Sequence, residues 1–177
     1  MDSAHALQTL AEPARQNGDM HDHQCLSFVS GGTHFGVDIA AVKEILQYAG
    51  VTEVPMTPPC IRGVINLRGL VVPVVDLAIR LERQPSPPGR RACVIIVELT
   101  DGAERHDIGV LVDGVSEVVD VAASEVMPVP NFGTAVRADF IRGMVNRGES
   151  FLILLDITST FDFQELAGVR LAALDHH

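Results

Sequence analysis

The sequence predicts an all-β fold, a barrel or sandwich, made from one small unit used twice. Three observations predict it. First, Ile61-Arg62-Gly63-Val64-Ile65-Asn66 returns about eighty residues later as Ile141-Arg142-Gly143-Met144-Val145-Asn146, and each copy runs on into an apolar strand ending in aspartate, at Asp76 and Asp156. Second, Phe35-Gly36-Val37-Asp38 through Val42-Lys43-Glu44-Ile45 is echoed by Ile108-Gly109-Val110-Leu111 through Val115-Ser116-Glu117-Val118. The offset of this pair is a few residues smaller, which places a short insertion near Pro130-Asn131-Phe132-Gly133. Third, short runs of Val, Ile and Leu recur at steady spacing between Gly and Pro, as in barrels and sandwiches.

Element by element, Cys25–Val29 and Thr33–Val37 read as strands around the turn Ser30-Gly31-Gly32, a hairpin signal. Asp38–Val42 suits one helical turn with Asp38 in the capping position. Glu44–Ala49 resumes as strand, and Gly50–Cys60, with Pro55, Pro58 and Pro59, is a crossing loop because each proline removes a backbone donor. Gly63–Leu67 and Leu70–Val75 form a second hairpin turning at Arg68-Gly69. Pro73 cannot donate to a ladder, so its strand is expected at a sheet edge, at least on that side. Asp76–Leu81 reads as a short helix and Gln84–Gly89 as a loop.

The second copy repeats the plan. Ala92–Leu99 is an apolar strand, Thr100–Arg105 its turn, and His106–Val112 and Val115–Val121 the next strands. A capped turn at Ala122–Val126 and a Pro-rich crossing at Met127–Gly133 follow. A hairpin over Gly143–Asp156 turns at Gly148-Glu149-Ser150, and Thr158–Leu166 is a closing helix. If each copy closes into its own small barrel, most exposed edges disappear. One copy of roughly 60 to 70 residues supplies only a few kcal/mol of core stability, so the two should pack on each other. The expected organisation is a flexible tail over residues 1–24, a folded domain over 25–166 made of two intertwined or adjacent barrel subdomains, and a short tail over 167–177.

Bulk properties narrow the function. The formal charge is −10 and the pI about 5. The densest basic stretch, Arg80–Arg91, is broken by Pro85, Pro87 and Pro88. Nucleic-acid binding by counterion release needs clustered cations, so that class is disfavoured. Seven Phe, one Tyr and no Trp on an acidic chain argue against a single-strand-binding barrel. Cys25, Cys60 and Cys93 show no metal-type pairing and suit a reducing compartment. The first 24 residues lack the form of a secretory signal, and the apolar runs fall short of the roughly 20 residues a membrane helix needs. The expectation is a cytoplasmic protein.

Chemistry-bearing candidates reduce to structural ones. Asp76 and Asp156 repeat, but each lies where a strand gives way to a helix, so helix capping is the better account. His21-Asp22-His23-Gln24-Cys25 alternates possible metal donors without a distant ligand cluster. Cys60 and Cys93 have no evident histidine base, and Gly31-Gly32 and Gly148 stand in hairpin turns rather than in a phosphate-cradling strand–loop–helix frame. A ligand-binding or enzymatic barrel would need convergent polar groups in a cleft, which the sequence does not supply. The expectation is a non-enzyme with no cofactor and no metal.

Two stretches carry a resemblance. Phe35-Gly36-Val37-Asp38-Ile39 with Val42-Lys43-Glu44-Ile45, and Ile61 through Arg68-Gly69 with Val72-Pro73-Val74-Val75-Asp76-Leu77, resemble the CheW family of chemotaxis coupling proteins. Gly109–Val118 and Leu152–Ile157 are similar to the same family, so the likeness spans about residues 25 to 165. It implies two five-stranded, pseudo-repeated Src-homology-3-like barrels on a shared hydrophobic core. It also implies a scaffold that couples methyl-accepting chemoreceptors to the histidine kinase CheA by mimicking the kinase's regulatory domain. An adaptor of another array-type pathway, such as twitching motility, is the alternative. Carried over by position, Val42, Glu44, Gly63 and Arg68 match family positions tied to receptor binding or to shaping that site. Asn66 and Leu67 flank Arg68 in the same hairpin. Glu44 and Arg68 are expected to form a carboxylate–guanidinium contact, because the planar guanidinium holds one carboxylate and still offers donors elsewhere. Gly63 recurs as Gly143, so a structural need explains both copies.

Overall fold

The structure is a computed structural model and describes residues 23–84, 87–101, 103–129 and 140–161. Residues 1–22 of the tail expected over 1–24, the tail over 167–177, the insertion near Pro130 and residues 162–166 of the expected closing helix lie outside the described residues. Within them that helix runs Ile157–Thr160 and stops at Phe161, whose backbone is extended. Among the described residues the strands are β1 (His23–Ser30), β2 (Thr33–Asp38), β3 (Val42–Gln47), β4 (Ile61–Leu67), β5 (Leu70–Asp76), β6 (Cys93–Asp101), β7 (Glu104–Val112), β8 (Gly114–Val121), β9 (Val126–Met127), β10 (Ile141–Asn146) and β11 (Phe151–Leu155). The first strand therefore begins two residues before the expected boundary.

The strands form two sheets, ordered β8-β1-β2-β11-β10-β9 and β3-β6-β7-β5-β4. The all-β, two-sheet fold is the expected one; how the two copies share strands, as adjacent or as intertwined barrels, was left open by the sequence. Each sheet joins the first hairpin of one copy to the remaining strands of the other. β1 and β2 sit with β8, β10 and β11, whereas β6 and β7 sit with β3, β4 and β5. The junction is parallel in both sheets: β11 runs beside β2 with Leu154 opposite Gly36, and β5 runs beside β7 with Val74 opposite Gly109. The two copies have exchanged their leading hairpins, so neither sheet exists without both halves of the chain.

The turns follow their residues. Gly31 and Gly32 both take positive φ between β1 and β2, the pair that a two-residue hairpin turn demands. Asp38 Oδ1 accepts from the Ala40 N–H at 2.9 Å and caps the 3-10 turn Ile39–Ala41. Asp76 Oδ1 accepts from the Ala78 and Ile79 N–H groups and starts the short helix Leu77–Arg80. Asp156 Oδ1 accepts from Ser159 and starts Ile157–Thr160. Both repeated aspartates are helix caps, as their positions predicted.

Two expectations are corrected. β5 is not an edge strand, because it lies between β7 and β4. Pro73 is tolerated because Val64, opposite it on β4, spends both backbone groups on Thr52. The pair is therefore not hydrogen-bonded, and the parallel ladder to β7 begins only at Val74. The β6–β7 ladder also continues to Asp101 opposite Glu104, through residues assigned to a turn over 100–105. Backbone pairing extends past the apolar run that marked the strands.

The core has three parts. Leu26, Phe28, Phe35 and Val37 of one sheet meet Val75, Ile95, Val97, Ile108 and Val110 of the other in a shared centre. Cys25, Val119, Val121, Val145, Leu152 and Leu154 pack inside the first sheet's curl. Val72, Val74, Val94, Ile96 and Leu111 pack inside the second's, with Leu46, Tyr48, Ile65 and Leu67 against them. Central strands are thus covered on both faces, which is why they read as unbroken apolar runs. Each fully buried side chain of this kind contributes about 1.5–3 kcal/mol.

Polar ties join the sheets at one end. The Asp113 N–H donates to Val29 O at 2.9 Å, and Gly31 N–H donates to Asp113 Oδ2 at 2.8 Å. Arg83 reaches Thr33 Oγ1 and Gly31 O, while Arg80 donates to Thr160 O and lies 5.2 Å over the Phe140 ring.

Candidate functional site

The β4–β5 hairpin turns through Arg68 and Gly69, with φ of 54° and 86°. Left-handed backbone suits glycine or asparagine and costs other residues about 1–2 kcal/mol. Arg68 holds it nonetheless. Asn66 Oδ1 accepts from the Gly69 N–H at 2.8 Å and closes the turn. The turn projects the guanidinium out of the hairpin, and Arg68 Nη2 donates to Glu44 Oε1 at 2.6 Å.

Glu44 lies on β3, the opposite edge of the same sheet. The contact therefore spans the seam where the sheet curls and its two edges meet. Below it, Leu46 and Tyr48 from the β3 side and Ile65 and Leu67 from the β4 side pack on the same apolar cluster. The Arg68 side chain is 70% exposed and that of Glu44 28%, so the pair by itself contributes only about 0–1 kcal/mol of stability. Several guanidinium donors remain free of Glu44 and face solvent, a geometry able to hold a carboxylate or carbonyl of a partner.

A bulge aims Glu44. Val42 opposes Val97 on β6, but Glu44 opposes Ile96, so Lys43 is the extra residue. Val97 belongs to the shared core and Ile96 to the interior of the curl. Val42 accordingly packs against the shared core, while Glu44 points to the other face, toward Arg68. Gly63 sits on β4 beside the Thr52–Val64 bridge. A Cβ there would stand 2.3 Å from Thr52 O, and one at Gly143 would stand 2.4 Å from Val126 Cγ1 and 3.0 Å from Met127 O. Both glycines permit a close strand approach.

Of the six residues singled out, Glu44 and Arg68 touch, Asn66 shapes the turn between them, and Leu67 packs beneath. Gly63 serves β4, and Val42 faces the core between sheets. Sequence reasoning passed over two cations. Arg62 donates from Nε and Nη2 to Asp76 Oδ2 at 2.9 and 2.8 Å, clamping a buried cap. The repeated Arg–Asp spacing of the two copies was the available signal. Lys43 reaches Asp107 at 3.1 and 3.2 Å and Glu98 at 3.9 Å. It stands beside Glu44 in the repeated stretch and is the single lysine among 177 residues.

Elsewhere the titratable groups are structural. Burial pushes the Cys25 thiol up to about 11, with the Asp38 carboxylate adding to the effect and Arg142 opposing it. His23, in the stretch weighed for metal, has Nδ1 3.4 Å from Asp38 Oδ2; His21 lies outside the described residues. No helix among the described residues is long and apolar enough to cross a membrane.

The comparisons agree with this fold. The model of the CheW-like domain matches residues 24–165. The chain is 33% identical over 167 residues to the chemotaxis protein CheW of Klebsiella aerogenes, covering 94% of this chain and 98% of that protein. It is 28% identical over 145 residues to the protein PilI of Pseudomonas aeruginosa, covering 80% and 76%. The crystal structure of the scaffolding protein TtCheW from Thermoanaerobacter tengcongensis superposes with a TM-score of 0.73 at 26% identity, over 87% of this chain and 96% of that one. The chain belongs to the CheW-like family and is a chemotaxis coupling adaptor of that family.

Proposed function

We propose that this protein works in the cytoplasm as a non-enzymatic scaffold. It binds the cytoplasmic tip of methyl-accepting chemoreceptors through Val42, Glu44, Gly63, Asn66, Leu67 and Arg68, and the regulatory domain of the histidine kinase CheA through a separate surface. The observation that carries the receptor assignment is Arg68: an exposed arginine held in left-handed backbone and paired across the seam with Glu44. Backbone strain retained at an exposed, weakly stabilising residue points to selection for something other than stability. Family membership supplies the pairing of receptor with kinase.

The receptor tip is a helical hairpin in this reading, and its recognition is a helix laid along a groove with apolar anchors and a polar rim. A standard interface buries about 800 Å² per partner, and modest single contacts add up in an array by multivalency. The test is a binding assay against a soluble receptor signalling fragment and an isolated CheA regulatory domain. Arg68→Ala should weaken the receptor fragment about tenfold, equivalent to 1.4 kcal/mol, leave the kinase domain bound, and shift unfolding by about 1 kcal/mol or less. Extensive unfolding of that variant would overturn the assignment. The likeness to PilI favours one second reading, the same adaptor chemistry in another array-type pathway such as twitching motility; binding to the receptor of only one pathway separates the two.

A further inference from the structure

Lys43 is placed where a regular strand would put nothing of consequence. It is the extra residue of the β3 bulge, and the bulge turns Glu44 off the face of Val42 and toward Arg68. Its ammonium lies against Asp107 and Glu98, which stand directly opposite one another on β7 and β6. Like charges directly opposed in a ladder repel, so a cation between them is held by both. Lys43 is thereby anchored to the rigid β6–β7 hairpin, independently of the seam.

The second copy separates the bulge from its anchor. β8 carries the same irregularity: Ser27 opposes Glu117 and Phe28 opposes Val115, leaving Ser116 as the extra residue. Ser116 is the counterpart of Lys43, and Glu117 of Glu44. The unit thus makes its bulge without a lysine, and the lysine occurs only in the copy whose glutamate has an arginine to meet.

We propose that Lys43 is a positioning residue for the receptor site. Its bond to Asp107 and Glu98 fixes the bulge so that Glu44 stays aimed across the seam at Arg68. The proposal rests on the receptor reading above for its meaning, but not for its test. Arginine side-chain NMR signals report it directly. The Arg68 signal is identified by its loss in Arg68→Ala, and its unpaired position is given by Glu44→Ala. In Lys43→Met the signal should move most of the way to that unpaired position, while Lys43→Arg should leave it in place. Asp107→Asn, which keeps the lysine and removes its nearer partner, should move it in the same direction as Lys43→Met. The melting temperature of Lys43→Met should stay close to that of the parent protein, as Ser116 in the other copy implies. An Arg68 signal unmoved in both Lys43→Met and Asp107→Asn overturns the proposal, and so does one displaced equally by Lys43→Arg. Binding of the soluble receptor fragment is then measured on the same variants. A loss in Lys43→Met that Lys43→Arg restores supports the positioning role. A moved Arg68 signal with receptor binding intact in both Lys43→Met and Arg68→Ala supports the positioning and refutes the receptor assignment instead.

Discussion

The two seam hairpins of this molecule share a scaffold, and the instructive difference lies at the first turn residue, Arg68 in one and Gly148 in the other. In the first, Asn66 accepts from the Gly69 N–H and the turn passes through Arg68. In the second, Asn146 accepts from the Gly148 N–H at 3.0 Å, and Gly148, with φ of 89°, occupies the place of Arg68. Both hairpins follow a glycine that admits a neighbouring strand, both follow a bulge, and both end in a capping aspartate. What is duplicated is what the fold needs. The second copy uses glycine where left-handed backbone is required, whereas the first carries arginine there against the conformational preference, and aligns Glu44 and Lys43 behind it.

The comparison breaks most severely if Gly63 and Gly143 are not equivalent. Alanine at either should destabilise by about 2–3 kcal/mol, the range for overpacking against atoms that cannot retreat, as read by urea unfolding. A folded Gly63→Ala protein of parental stability that loses receptor binding would show that this glycine serves the receptor surface and not the close approach of Thr52. Next come the caps. Asp76→Ala removes a buried cap and takes the partner from the half-buried Arg62, so it should cost about 2 kcal/mol. Asp156→Ala, with exposed capping bonds, should cost about 1 kcal/mol. Equal losses would mean that the Arg62 clamp adds nothing.

A smaller effect sharpens the comparison from the alkaline side. The Cys25 thiol holds its proton to about 11 in the folded protein, against 9.0 for the free group. The unfolded chain therefore binds fewer protons between pH 9 and 11, so the stability this group contributes is full below pH 9 and is lost as pH rises through that window. Cys25→Ala should flatten the decline over that range, and an unchanged slope would exclude Cys25 as its source. At pH 8 a soluble thiol reagent should modify the half-buried Cys93 before Cys25 or Cys60.

Much of this was legible in the sequence because it is local. Hairpin turns at Gly31-Gly32 and Arg68-Gly69, the aspartate caps, and the repeated strands follow from residue types within a few positions of each other. Which strands the two copies exchange was not legible. Alternation shows which face of a strand is apolar but not which copy's strand lies beside it, and β1 finds its neighbour β8 some ninety residues away. Pro73 misled for a related reason: an interior strand can host proline where one neighbour pairs without hydrogen bonds and the other's ladder has not begun. For the site, the pairing of Glu44 with Arg68 was anticipated from family likeness. Simple alternation instead puts Val42 and Glu44 on one face, and only the bulge at Lys43 separates them.

Arg68→Gly gives the first hairpin the turn residue of the second. The most direct measurement is the affinity of this variant for a soluble chemoreceptor signalling fragment, taken beside its unfolding free energy. Relief of left-handed strain should leave it as stable as the parent or more so, by about 1 kcal/mol, while affinity falls about tenfold or more. Undiminished affinity in a protein of equal or greater stability would contradict the account, because the arginine would then have no use that offsets its conformational cost.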